Sequence, residues 1–264
     1  MWKLKPNEVL VYKTQMDEVD QEHQKMLNLN GMAKLMGMDS LKNHDADQMM
    51  KDLNQQLAAS NFETTLTEKR KGIIDISLVM KNNEVNSSKT TDSVSQGFKE
   101  IQREVLKASG GVMLRGAIYE DGSIESFYTK PDQKNLIALF FELPSRFVKV
   151  GDKWSLSVNL ISMDQNFICD SSFKKNEVSV VSIGKKGNDT IVTLKYDIKE
   201  YAGGKFNSPF VNQPLPTWMK MSAEAVAQFS LEQGRWVSYN GIMSIAAEGI
   251  MTYQTTKKLS LLPK

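Results

Sequence analysis

One cysteine, two histidines and five arginines in 264 residues close off several classes of function. With Cys169 alone, no internal disulfide can form and no cysteine zinc site can be assembled. It ends the apolar stretch Asn166-Phe167-Ile168-Cys169, where a buried, inert thiol is expected. His23 and His44 both fall in a polar segment, away from any element that would hold a general base rigidly beside a nucleophile. The 33 basic residues are mostly lysine and are offset by 31 acids to a net charge of +2. Such a balance steers no polyanion, so nucleic acid is not an expected partner. No apolar run is long enough to cross a bilayer as a helix. The sequence contains no G-x-S-x-G, Walker A, G-x-G-x-x-G or H-E-x-x-H pattern. Asp45 and Asp47 begin like a calcium loop, but its Gly and terminal Glu are missing. The chain offers no catalytic residue, metal ligand set or cofactor motif, and the expectation is a protein that is not an enzyme.

What is present is a phrase written twice. Leu4-Lys5-Pro6-Asn7-Glu8-Val9-Leu10-Val11-Tyr12 has a counterpart in Val148-Lys149-Val150-Gly151-Asp152-Lys153-Trp154-Ser155-Leu156. Each is an apolar residue, Lys, a spacer, a turn residue, an acid and then an alternating strand start. Later, Ile118-Tyr119-Glu120-Asp121-Gly122-Ser123-Ile124-Glu125-Ser126 answers Ser230-Leu231-Glu232-Gln233-Gly234-Arg235-Trp236-Val237-Ser238. An entry strand and a late hairpin in the same order imply two copies of one β-rich unit, 1–144 and 145–264. The expected fold is mainly β (α+β): two related antiparallel, curved, half-barrel-like sheets with two or three helices.

Alternation places a first strand at 8–16. A polar insertion at about 17–60 is expected to carry helix, and apolar spacing from Phe98 to Leu106 predicts a helix over 94–108. Hairpins are expected at 62–69 with 73–80, turned at Lys71-Gly72, and at 112–119 with 123–129, turned at Asp121-Gly122. Leu136 to Leu143 reads as a further strand ending at Pro144. In the second copy, 153–160 reads as the entry strand, 177–183 pairs with 190–198, and a loop holds Gly203, Gly204, Pro209, Pro214 and Pro216. Strands at 225–231, 236–246 and 250–261 close the set, and Lys185-Lys186 and Lys257-Lys258 read as solvated turn and edge charges.

Two groups of residues invite a chemical reading. Met26, Met32, Met36, Met38, Met49 and Met50, with His23 or His44, have the ligand types for Cu(I). Methionine filling gaps under a helical lid is the expected reading, because spacing alone does not converge soft ligands. Trp154 and Trp236 each stand in one of the recurrent phrases of the second copy, and Phe140 and Phe141 are taken with them. They read first as core, since aromatics on strands supply buried area, and second as the wall of an apolar groove for a lipid-like ligand.

The central Leu143-Pro144-Ser145-Arg146-Phe147-Val148-Lys149-Val150-Gly151-Asp152-Lys153-Trp154 resembles the V-x-V-G-D-x-W phrase of uncharacterised Bacteroidetes envelope proteins, a domain of unknown function of the DUF6263 type. The opening Trp2-Lys3-Leu4-Lys5-Pro6-Asn7-Glu8-Val9-Leu10-Val11-Tyr12 resembles their first strand, with Asn7 where Gly is usual. The likeness implies a periplasmic, secreted or outer-membrane-anchored lipoprotein whose leader precedes this sequence. It assigns no catalytic residue; an apolar, lipid-like ligand or another envelope component is the expected partner, with a structural or interaction module lacking a small-molecule site as the alternative.

Overall fold

Val9–Glu18 (β1) alternates buried and open positions along its length, with Leu10, Tyr12 and Thr14 turned inward. That period of two, repeated strand after strand, builds a sheet with one apolar face. The computed structural model describes residues 1–19, 25–28, 61–81, 111–127, 134–162, 165–207 and 213–264. Its further strands are Lys25–Asn28 (β2), Asn61–Arg70 (β3), Ile73–Lys81 (β4), Gly111–Tyr119 (β5) and Ile124–Phe127 (β6). After one helix, Lys134–Phe141 (α1), come Lys153–Trp154 (β7), Phe167–Lys186 (β8), Asp189–Phe206 (β9), Leu215–Ser230 (β10), Arg235–Glu248 (β11) and Thr252–Pro263 (β12).

The strands form one antiparallel sheet in the order β6-β5-β4-β3-β1-β12-β11-β10-β9-β8-β7, with β2 paired to β12 off this path. The two expected sheets are therefore joined: β1 pairs with β12 from Tyr12 opposite Pro263 to Glu18 opposite Lys257. Each half runs in descending chain order across the sheet. Both halves also open on the same turn. The Glu8 amide donates to Lys5 O at 2.9 Å and the Lys5 amide to Glu8 Oε2 at 2.8 Å, around Asn7 at φ 62°. The Asp152 amide donates to Lys149 O at 3.0 Å and the Lys149 amide to Asp152 Oδ2 at 3.1 Å, around Gly151 at φ 88°. Asn tolerates positive φ better than most residues, which explains its standing where the second half has Gly151.

Glu8 also receives Arg235 Nη2 at 2.8 Å. The Lys5 amide first, and then Arg235, hold this carboxyl below its ordinary 4.5. A carboxyl lowered by folding stabilises above its unfolded value and loses that contribution as pH falls through the folded one. Glu8→Gln should therefore lower the melting temperature at pH 6 and by less near pH 3. The difference should stay under about 1 kcal/mol because both groups border water. Equal losses at the two pH values would refute it.

Several expectations need correction. The strand expected from Leu136 to Leu143 is helix as far as Phe141: Ile137 and Phe141, and likewise Leu136 and Phe140, stand one turn apart, and apolar runs of this length suit either element. The entry strand of the second half pairs only at Lys153–Trp154. Beyond it Asn176 takes the place of a ladder, accepting the Leu156 amide at 3.0 Å and donating to Leu156 O at 2.7 Å. Gly203 and Gly204 lie inside β9, opposite a bulge at Cys169/Ser171, and Pro216 lies inside β10. A Cβ at Gly204 would stand 2.0 Å from Ile168 O, so glycine admits that close approach. Cys169 is exposed, because it sits on the part of β8 beyond the reach of β7. Lys25–Asn28, expected within the helical insertion, pairs with β12 as strand. The helix expected over 94–108, most of the insertion and both histidines lie outside the described residues, within which α1 is the one helix.

The sheet is rolled, as two hydrogen bonds show. The Trp2 amide donates to Glu120 O at 2.7 Å and the next amide, Lys3, to Gly234 O at 3.0 Å. Glu120 follows β5 and Gly234 precedes β11, five strands across, which is about 24 Å on a flat sheet. Two consecutive amides bring those carbonyls within about 10 Å of each other. The face carrying Leu10, Tyr12, Leu66, Ile76 and Leu114 is therefore the inside of a trough that narrows at this end.

Candidate ligand-binding face

α1 lies inside the trough with its C-terminus at the narrow end. A helix leaves its last carbonyls without partners, and here the sheet supplies them. Tyr239 Oη donates to Leu139 O at 3.2 Å, Trp236 Nε1 to Phe140 O at 2.7 Å and Trp2 Nε1 to Phe141 O at 2.8 Å. Ala138 O accepts the Glu142 amide at 3.3 Å, completing the set. The rings that deliver these donors form one cluster. Trp2 meets Trp236 at 5.8 Å and Phe229 at 5.4 Å, Trp236 meets Tyr239 at 5.6 Å, and Tyr239 meets Phe140 at 5.3 Å and Tyr196 at 5.3 Å. Burial raises the Tyr12, Tyr196 and Tyr239 hydroxyls well above the ordinary tyrosine range, so none carries charge near neutrality.

The structure thus brings Trp236 and Phe140 together, through the hydrogen bond from indole to carbonyl, and buries both in this plug. Trp154 stands apart on β7, in the inner-face row Trp154–Val178–Tyr196. Its Nε1 and Tyr196 Oη are buried without a hydrogen-bond partner among the described residues.

Toward the wider end the inner face is less covered. Cross-strand partners define three rows there. One runs Ala225–Gly241–Leu259–Met16, the next Ala223–Met243–Lys257–Glu18, and the third Met221–Ile245–Thr255. Met16, Phe62 and Met243 are partly buried against the core, and Met221, Ile245 and Lys257 are half-buried. On the β8–β9 side of the trough the segment after β7 covers the sheet, and inward polar groups hold it. Lys174 Nζ donates to Val158 O at 2.8 Å and stands 3.1 Å from Glu200 Oε1, while Glu200 Oε2 accepts the Ile161 amide at 2.9 Å. Glu142 Oε2 accepts the Ser157 amide at 3.0 Å, and burial raises its carboxyl.

Lys257 was missed by the sequence, which made it an edge charge. It occupies the centre of the sheet, on β12 between β1 and β11, and faces inward because Leu259 and Thr255, two places either side, are buried. Lys258, its neighbour, faces out and is exposed. The available signal was the spacing of Lys257 from Leu259 and Leu261.

The outer face mixes polar residues with exposed apolar ones, Val9, Val226, Ile242 and Leu262 among them. Its depression of about 420 Å³ over β3–β5 is lined mainly by Thr65, Thr67, Asp75, Ser77, Arg115 and Ser126. Among the described residues no three His, Cys, Asp or Glu side chains gather as a metal site, and no helix is long and apolar enough to cross a membrane. The methionines of the Cu(I) reading lie outside the described residues or have undescribed side chains. Comparison with protein-family models, curated proteins and solved structures gives no match.

Proposed function

We propose that the protein is a non-enzymatic component of the cell envelope that holds an apolar, lipid-like ligand in the wider part of its trough. One observation carries the reading. Beyond the aromatic plug, a continuous patch of Met16, Phe62, Met221, Met243 and Ile245 faces inward yet is only partly covered. Thioether side chains adapt to irregular apolar shapes, and a concave apolar wall with few polar groups is the usual form of a small-molecule site. The periplasmic, secreted or outer-membrane-anchored location follows from the resemblance to DUF6263-type envelope proteins. The duplication follows from the recurrent phrases, the paired turns at Asn7 and Gly151 and the matching strand direction of the halves. A trough of this kind resembles the half-barrels of periplasmic lipoprotein carriers, a likeness of architecture only.

The test is binding of the neutral fluorophore N-phenyl-1-naphthylamine to delipidated protein. Binding is expected, and Phe62→Asp, opposite Thr14 and Met80, should weaken it at least about tenfold by placing an unpaired charge in the apolar wall. Delipidated protein that binds no apolar probe removes the reading. The same outcome, accompanied by self-association, would favour the second reading, a structural or interaction module. The exposed Ile168 and Phe173 on β8, which extends well beyond the two residues of β7, favour that alternative.

A further inference from the structure

Three inward-facing cations and acids at the sides of the trough have partners: Lys174, Glu200 and Glu142 all tie down the segment after β7. Lys257 does not. Among the described residues its ammonium has no ion pair or hydrogen bond, although it lies half-buried between the buried Leu259 and Thr255. The flanking rows set Met16, Met243, Ile245 and Met221 around it. Glu18, opposite it on β1, is exposed and makes no ion pair with it. A cation set into a methionine-lined wall gives up part of its hydration and gains no counter-charge, which is costly unless an anion completes the site.

We propose that Lys257 receives the anionic head group of a long-chain amphiphile whose tail lies along Met16, Met243, Ile245 and Met221. This rests on the apolar-ligand reading and sharpens it to a class: a charged head, one point contact and a flexible chain. Lysine suits such a head because its ammonium is a compact charge that imposes no planar, bidentate geometry. The side chains that would receive the tail lie across the sheet from Lys257, on the adjoining strands β1 and β11 and on β10 beyond.

Oleate and oleyl alcohol share a chain and differ in the head, so their displacement of cis-parinarate from delipidated protein at pH 7.5 isolates the charge. The protein should prefer oleate by about tenfold, the worth of one hydrogen bond to a charged group. Lys257→Met should abolish the preference while leaving oleyl alcohol within twofold of its original affinity. Lys257→Arg should keep the preference, and Lys258→Met, one residue along on the outer face, should leave it untouched. A preference that survives Lys257→Met, or equal binding of the two ligands by the unaltered protein, overturns the assignment while leaving the apolar site standing. Failure of both ligands to bind removes the apolar site and this assignment together.

Discussion

Gly122→Ala should unfold most of the molecule's narrow end, at a cost above about 3 kcal/mol, while Gly72→Ala costs about 1 kcal/mol. The two glycines have the same φ of 81° and both sit in hairpin turns, so the strain of a left-handed alanine is common to both. They differ in space. A Cβ at Gly72 meets nothing within 4 Å. At Gly122 it would stand 1.8 Å from Phe141 O and 2.8 Å from Glu142 Cα, both backbone atoms at the end of α1. Making room would draw Phe141 O away from Trp2 Nε1 and break the contact of Leu143 N–H with Asp121 O at 2.6 Å. Urea midpoints of the two variants decide the matter, and comparable shifts would show that the helix end is not pinned against this hairpin.

Trp236 is the second residue whose loss should be severe. Replacement by alanine should cost about 4 kcal/mol or more, since it opens a cavity in the plug and also orphans a buried carbonyl. Trp236→Phe largely separates the two contributions: it keeps a six-membered ring beside Phe229 and Tyr239 and removes the indole donor to Phe140 O together with the small ring that carries it. About 1–3 kcal/mol is expected for that change alone, the penalty of an unpaired buried acceptor. The loss should appear in denaturant unfolding and in the near-ultraviolet circular dichroism of the aromatic cluster. A change within about 0.5 kcal/mol would mean that Phe140 O finds another donor and that the helix end is held by packing alone.

Local signals predicted the hairpins well because their turns carry their own chemistry. Lys71-Gly72, Asp121-Gly122 and Gly187-Asn188 each fall where positive φ is needed at glycine, and the strands on either side alternate. The first recurrent phrase likewise pointed to a turn with the same bonds in both halves, whereas the second falls on turns closed differently, Gly122 N–H on Tyr119 O and Gly234 N–H on Ser230 O. The joining of the halves was not legible, since it depends on β1 meeting β12 and no local pattern encodes a partner at the far end of the chain. The run Leu136 to Leu143 misled because it is apolar but for Glu142, and so short an apolar run fits strand and helix alike. The site was legible in part. Trp236 and Phe140 stood out as large aromatics, yet their hydrogen bond makes them a helix cap within the plug. Lys257 went unnoticed because a lysine in sequence looks solvated, and only the register with Leu259 and Thr255 turns it inward.

The seam between the halves has a kinetic meaning. Tyr12 and Pro263, about 250 positions apart, must find each other before the central ladder exists, and closing so long a loop is entropically slow. Until that moment each half ends in a raw strand, β1 or β12, ready to accept any passing backbone. Correct docking is a first-order event within one molecule, whereas mispairing is second-order between two. Protein concentration during refolding therefore selects between a closed trough and an aggregate.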